Sequence, residues 1–168
     1  MNGGTFQNFS EKSFLQLTDE QIKKHLLGFH QIGIYPLLQD NTTWFLVADF
    51  DKTSWQKDAN AFLKVCSDRK IPAYLERSHS GNGGHVWIFF EQPYPAIRSR
   101  RIFLSLLEQS GAFSIFDKSS SFDRLFPNQD FHSGKGFGNL IALPLCKTTL
   151  EKGNSCFIDP ECFEPIVD

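Results

Sequence analysis

The chain has 168 residues, of which 40% are hydrophobic and 21% are charged, so it is long enough for one globular domain with a packed core. Its formal net charge of −2 argues against a protein that coats nucleic acid through bulk positive charge, although a local basic groove stays open. The sequence has no apolar run of about 18 residues and no signal-peptide pattern, so we expect a cytoplasmic protein without a membrane partner.

The first predicted elements are a short helix and a strand, which form an αβ lead-in. "LTDEQIKKHLLG" carries Thr18 or Asp19 as a helix cap and ends at Gly28. "IGIYPLL" predicts a strand in which Pro36 indicates an edge position or a bend. Residues 1–17 are expected to form a loosely attached segment, and residues 18–168 a single domain of a longer protein.

The central part of the chain predicts a strand followed by a helix. "WFLVADFD", residues 44–51, is a continuous apolar run typical of a strand buried on both faces. "SWQKDANAFLKVCSDRK" predicts a helix of about four turns with Ser54 as its N-cap. "IPAYLER" and "HVWIFFE" are the next two predicted strands, joined by a glycine-rich loop.

The C-terminal part predicts a second amphipathic helix, "AIRSRRIFLSLLEQSG", which Gly111 closes. Residues 113–138 predict an irregular segment, and "NLIALPL" predicts a last apolar strand. The order β-α-β-β-α-loop-β therefore favours an α+β fold, with an RRM-like (RNA-recognition-motif-like) mixed β-sheet, helices packed on it and the N-terminal αβ lead-in. This order occurs in proteins of several functions.

Two aspartates end the apolar strand of residues 44–51. Because side chains at i and i+2 of a strand share a face, the carboxylates of Asp49 and Asp51 should point the same way. They would repel each other without a cation, and oxygen ligands of this kind suit Mg²⁺ or Mn²⁺. The alternative is a strand that ends at the surface with two solvated acids. Lys52 would then face water rather than a phosphate.

The stretch "ERSHSGNGGHVWIFF" joins a polar loop to an apolar strand. Its glycines allow backbone N–H groups to approach an anion, and serine hydroxyls and the His85 imidazole add donors. The alternative is an ordinary hairpin connection with a packed histidine. Candidate anion-binding residues are Arg77, Ser78, Ser80, Gly81, Asn82, Gly83 and His85.

The segment "SFDRLFPNQDFHSGKGFGNLIALP" carries further charged side chains. An acid from it could complete a three-carboxylate metal site with the two strand aspartates. Arg124, His132 and Lys135 could contact phosphate or a template strand. The alternative is a flexible surface loop. The four cysteines (Cys66, Cys146, Cys156 and Cys162) lack a CxxC pair, so we expect reduced thiols rather than a zinc site.

Together, "FLVADFDKTSW", "ERSHSGNGGHVWIFFE" and "FDRLFPNQD…GKGFGNLIALPL" resemble the three successive motifs of the archaeo-eukaryotic primase superfamily. The resemblance is to its bacterial primase-polymerase branch, found in TOTE conflict systems and among CRISPR-associated primase-polymerases. It covers roughly residues 25–150, and the three motifs occur in the family's order.

The resemblance implies a role for each matched residue. Asp49 and Asp51 correspond to catalytic metal ligands, and the third ligand falls on Asp123, with Asp130 as the alternative. Ser80 and His85 correspond to contacts with the triphosphate of the incoming nucleotide. The remaining implied nucleotide-binding residues are Lys52, Arg77, Ser78, Gly81, Asn82, Gly83, Arg124 and Lys135.

The activity implied by the resemblance is template-dependent nucleotidyl transfer, as in a DNA primase or DNA polymerase. NTPs or dNTPs would be joined on a single-stranded DNA template and primer by phosphoryl transfer with two Mg²⁺ or Mn²⁺ ions. Fused or associated helicase, nuclease or CRISPR adaptation components are possible partners. The zinc-binding or helical accessory module that often supports priming is not recognisable, so priming and simple extension both stay open.

Two other functions stay open at this point. One is an RRM-like module that binds single-stranded nucleic acid through aromatic side chains without catalysis. No RNP-type pattern precedes "HVWIFF", however, and acids at a strand end would repel phosphates. The other is a metal-dependent nuclease or cyclic-nucleotide synthase.

Overall fold

The computed structural model describes residues 16–114, 120–132 and 138–166. The predicted loose segment, residues 1–17, therefore lies outside the described residues except for its last two. The described helices are α1 (Asp19–Leu26), α2 (Trp55–Asp68), α3 (Ala96–Ser110) and α4 (Lys147–Leu150). The described strands are β1 (Gly33–Ile34), β2 (Thr42–Phe50), β3 (Tyr74–Arg77), β4 (Gly84–Pro95), β5 (Phe122–Phe126), β6 (Ile141–Ala142) and β7 (Cys156–Phe157).

The main sheet has the strand order β5-β2-β4-β3-β7. Each of its described neighbour pairs is antiparallel. The chain makes two β-α-β crossovers, β2-α2-β3 and β4-α3-β5. In the first, β4 lies between the two connected strands, and in the second β2 does. The strands that run in the same direction are therefore not neighbours. The predicted α+β class is confirmed, with the correction that the described pairs are antiparallel rather than mixed.

One face of the main sheet packs on α2 and α3. The buried residues of α2 recur at helical spacing, and they meet Leu46, Ala48 and Phe50 of β2 in one core. α3 adds Phe103 and Leu107 to this core. We call this the helix face, and it leaves the opposite face of β2, β3 and β4 for other contacts.

The opposite face is partly covered by a second, two-stranded sheet of β1 and β6. Ile141 of β6 packs with Val47, Trp87 and Phe126 of the main sheet. The predicted strands "IGIYPLL" and "NLIALPL" are thus two residues long each, and they do not join the main sheet. Each run contains a proline, which cannot donate to a strand ladder.

The helix boundaries largely follow their predicted caps. The Thr18 hydroxyl accepts from the backbone N–H of Gln21, and Gly111 closes α3 in the left-handed conformation. Ser54 stands at the N-cap of α2, but its hydroxyl donates to the Asp58 carboxylate and caps no backbone N–H. None of the helices within the described ranges is long and apolar enough to cross a membrane.

The segment predicted to be irregular contains β5, which pairs with β2 at the sheet edge. Its apolar residues do not alternate regularly, because Asp123 and Arg124 interrupt them. α4 and β7 were also not predicted; β7 extends the sheet beside β3. All four cysteines are free, and none joins a group of possible metal ligands among the described residues.

Candidate active site

Three carboxylates meet where β2 ends. Asp49 is the penultimate residue of β2, Asp51 follows the strand, and Asp123 lies in β5. One carboxylate oxygen of each lies within 4.8 Å of the others. We call these three residues the acid cluster. Asp49 is half-buried, whereas Asp51 and Asp123 are exposed, so the cluster opens to solvent.

A β-bulge places Asp123 on this side of the sheet. Arg124 is the register partner of Asp49 and Phe122 is that of Phe50, so Asp123 is an extra residue in β5. Regular pairing would set Asp123 opposite Phe50, whose side chain is fully buried in the helix-face core. The bulge instead keeps Phe122 against Phe50, at 5.9 Å between ring centroids, and frees the carboxylate to join the acid cluster.

The chain just before β5 is fastened to the end of β2 and to α2. The Asp58 carboxylate accepts from both the backbone N–H and the hydroxyl of Ser121 (3.2 and 2.6 Å). The backbone N–H of Asp51 donates to the Ser121 carbonyl (2.7 Å). The Lys52 ammonium donates to the Ser120 carbonyl (2.7 Å). These bonds hold Asp123 beside Asp51, and they give Lys52 a structural contact that the sequence did not predict.

The acid cluster concentrates negative charge in a partly buried place. The net pKa of Asp49 is raised to about 6: burial is the largest cause and the Asp51 and Asp123 carboxylates add to it, while His85 and Arg124 act in the opposite direction. Arg124 donates from Nε to Oδ2 of Asp123 (2.5 Å). Three clustered carboxylates, only one of which forms an ion pair with an arginine in the described ranges, fit a hard divalent cation such as Mg²⁺ or Mn²⁺.

His85 lies beside the acid cluster on the neighbouring strand. It is the register partner of Asp49, and its Nε2 is 3.5 Å from Asp49 Oδ1. Its Nδ1 donates to Oε2 of Glu76 (2.9 Å). Burial lowers the pKa of His85, but the hydrogen bond to Glu76 and the nearby carboxylates outweigh it, so the net pKa is raised.

Glu76 is a site residue that sequence reasoning missed. Its side chain is almost completely buried, and it accepts hydrogen bonds from His85 and from the Trp87 indole (2.6 Å). Glu76 therefore fixes the ring orientation of His85 from behind. The register of the β3–β4 hairpin would have identified Glu76: Arg77 pairs with Gly84, so Glu76 lies opposite His85.

The loop between β3 and β4 packs against the acid cluster. A Cβ on Gly83 would lie 2.6 Å from the Phe50 carbonyl oxygen and 2.7 Å from Asp51 Oδ1, so glycine permits this close approach. The Ser80 hydroxyl accepts from the Asn82 backbone N–H and lies 3.2 Å from the Ser78 hydroxyl. The Gly81 N–H donates to the Ser78 carbonyl. Two of the backbone donors predicted for an anion thus close the loop itself.

Several predicted site residues lie elsewhere. Arg77 neighbours Glu76 in β3, so its side chain points to the opposite face, where it donates to the carbonyls of Gly153 and Phe163. Asp130 forms an ion pair with Arg100 (2.7 Å) and is not in the acid cluster. The His132 ring lies 3.1 Å from the Leu37 carbonyl. Lys135 lies outside the described residues.

Comparison with known proteins identifies one family. The sequence model of AEP-TOTE, described as the "TOTE conflict system, Archaeo-Eukaryotic Primase domain", matches residues 2–168. This match covers nearly the whole chain, including the acid cluster, His85 and the loop before it. No curated protein matches the chain.

Proposed function

The chain belongs to the archaeo-eukaryotic primase domain family of TOTE conflict systems, and we propose that it is a DNA-directed primase-polymerase. In this proposal it joins NTPs or dNTPs on a single-stranded DNA template. The observation that carries the proposal is the acid cluster, whose three carboxylates converge within 4.8 Å beside His85. A primase-like nucleotidyltransferase needs such a cluster next to a triphosphate site.

Asp49, Asp51 and Asp123 are the proposed metal ligands. The chemistry of these side chains fits a divalent cation. The three residues supply hard oxygen atoms, and the repulsion among their carboxylates falls when a cation is bound. Two bound Mg²⁺ or Mn²⁺ ions would supply charge neutralisation for the triphosphate and activation of the attacking hydroxyl. We do not propose Asp130 as a ligand, because it lies outside the acid cluster, where it pairs with Arg100.

His85 and the β3–β4 loop form the proposed triphosphate site. The raised pKa of His85 favours a charged imidazolium, which attracts phosphate oxygens. Ser80 and Asn82 are exposed at the loop surface and add polar groups, and Gly83 lets the loop lie directly on Asp51. Arg124 adds positive charge on the other side of the acid cluster.

The proposed reaction is an in-line displacement at the α-phosphorus of the nucleotide. The 3′-hydroxyl of the primer, or of the first nucleotide during priming, loses its proton to solvent water, and its oxygen bonds to that phosphorus. The bond from the α-phosphorus to the bridging oxygen breaks, and pyrophosphate leaves with the electron pair. The protein's residues position the triphosphate and stabilise its developing charge.

The acid cluster favours this function over a binding module without catalysis. An RRM-like binding module has no use for three converging carboxylates, which repel phosphates unless a cation intervenes. A nuclease or cyclic-nucleotide synthase would share the metal site but give other products. The helicase, nuclease and CRISPR adaptation partners suggested by the resemblance also stay proposals.

The experiment that tests the proposal is a combined primer-extension and priming assay. The protein is incubated with a single-stranded DNA template, with and without primer, with NTPs or dNTPs, and with Mg²⁺ or Mn²⁺. The proposal predicts template-length products that require the cation. Cyclic nucleotides or shortened DNA in place of extended strands would contradict it.

A further inference from the structure

The face of the main sheet that carries His85 is ordered in rows, because register partners share a face. The first row consists of four polar residues, with Phe157 beside Glu76 at its end: Glu76, His85, Asp49 and Arg124. The second row consists of Tyr74, Trp87, Val47 and Phe126. The third row pairs Phe89 with Phe45. The polar first row is therefore followed by two rows of aromatic and apolar side chains.

Two rings of these rows are exposed next to each other. Tyr74 is 50% exposed and Phe89 is 53% exposed, and their ring centroids lie 6.0 Å apart. Below them Trp87 is buried, with its ring stacked on that of Phe89 at 5.9 Å and 15°. Phe45 and Phe157 flank the pair at 6.4 Å from Phe89 and Tyr74 respectively. We call these five residues the aromatic platform.

We infer that the aromatic platform binds a single strand of DNA, with bases stacked on Tyr74 and Phe89. The inference rests on the proposed function, because it assigns the place where the DNA strand enters that site. Exposed aromatic rings on the middle strands of a sheet stack unpaired bases in single-strand-binding proteins. The buried Trp87 keeps the Phe89 ring in place, so stacking costs little side-chain entropy.

Continuity with the acid cluster identifies the occupant as nucleic acid. His85, Trp87 and Phe89 alternate along β4, so Phe89 lies about 13 Å from His85 along the strand. A DNA strand on the platform therefore leads directly into the acid cluster. The second and third rows carry no charged side chain, so the phosphates of such a strand meet no carboxylate there.

The test measures binding of a fluorescent oligothymidylate by anisotropy, without nucleotide. Tyr74→Ala and Phe89→Ala should each weaken binding by about 5- to 150-fold, the range for loss of one base–aromatic stack. Tyr74→Phe keeps the ring and should bind as the wild type does, whereas Phe89→Leu keeps apolar area and should still lose affinity. Phe29→Ala removes a ring that is 76% exposed in the lead-in, and it should change nothing.

The outcomes separate this inference from the proposed function. Unchanged oligothymidylate affinity in the Tyr74→Ala/Phe89→Ala double variant, with its fold intact by thermal melting, overturns the inference even if polymerisation is normal. Stacking-dependent binding without any nucleotide incorporation supports the inference and contradicts the proposed function. Self-association of the wild type that the double variant abolishes, with no effect on DNA binding, would assign the platform to a second copy and overturn the inference.

Discussion

His85 and Asp49 face each other across the ladder of β2 and β4, with His85 Nε2 3.5 Å from Asp49 Oδ1. This cross-strand pair joins the two halves of the proposed site, since Asp49 belongs to the acid cluster and His85 belongs to the proposed triphosphate site. Neither residue could be moved along its strand by one position without pointing into the helix-face core. The sheet register therefore determines the spacing between the two halves.

Asp49→Asn should stabilise the metal-free protein at neutral pH. The Asp49 pKa rises from 3.8 to about 6 on folding, so the folded state binds the proton more tightly than the unfolded state does. The ionised carboxylate then costs up to about 3 kcal/mol above pH 6, and this cost disappears below pH 4. Denaturant unfolding at pH 7.5 and pH 4, both with EDTA, measures the difference between variant and wild type.

The effect of Mg²⁺ on the melting temperature is the complementary measurement for Asp49→Asn. The cation should raise the melting temperature of the wild type and raise that of the variant less, because one ligand charge is lost. Glu108→Gln, an exposed change on α3, should show neither effect. A gain in stability for Asp49→Asn that is the same at both pH values would contradict this account.

His85→Ala should impair the use of nucleotide more than the binding of DNA. Loss of the imidazole removes a proposed triphosphate contact, so we expect kcat/KM for the nucleotide to fall by about 10- to 1000-fold. Steady-state extension at varied nucleotide concentration measures this change. His30→Ala removes an exposed histidine of the lead-in and serves as the matched control. If KM and kcat both stay at wild-type values, His85 is not part of the site.

Glu76→Ala should destabilise the fold and the site together. It leaves the indole N–H of Trp87 and the Nδ1–H of His85 without their buried acceptor, which costs about 2–3 kcal/mol. Glu76→Gln keeps one acceptor oxygen and should lie between the wild type and Glu76→Ala in unfolding free energy. Denaturant unfolding tests both variants, with Glu91→Ala as an exposed control on β4. Wild-type unfolding of Glu76→Ala would refute the buried hydrogen-bonding role.

Gly83→Ala should damage the site by steric conflict. The new Cβ would overlap the Phe50 carbonyl oxygen and the Asp51 carboxylate, and the first of these belongs to the backbone of β2. We expect a loss of about 1–3 kcal/mol in stability and a larger loss of activity. Gly111→Ala is the comparison: it meets no atom within 4 Å, so only its left-handed backbone is strained. Equal activity of the two variants would count against the close packing of loop and acid cluster.

The elements that were predicted correctly are those whose pattern of apolar residues is uninterrupted. α2 and α3 bury residues at helical spacing, and β2 is a continuous apolar run, so each could be identified from the local sequence. β5 could not, because its bulge breaks the alternation that identifies a strand. β1 and β6 are short because their prolines limit pairing.

The candidate site was predictable where it depends on local alternation. Asp49 and Asp51 share a face as i and i+2 residues must, and the structure brings Asp123 to them. The contact of Glu76 with His85 depends on the hairpin register, and so does the position of the Arg77 side chain on the opposite face, so neither could be predicted from residue type. The preference for Asp123 over Asp130 depends on the bulge in β5, which brings Asp123 into the acid cluster and could not be read from the sequence.

The most direct test of the central claim is primer extension by the Asp49→Ala/Asp51→Ala variant. The assay uses a single-stranded DNA template, a labelled primer, and Mg²⁺ or Mn²⁺, with Glu108→Gln as the control and circular dichroism as the check on folding. The account predicts a folded variant whose extension rate falls at least about 1000-fold with either ion. Template-directed extension by the folded variant at the wild-type rate would contradict it.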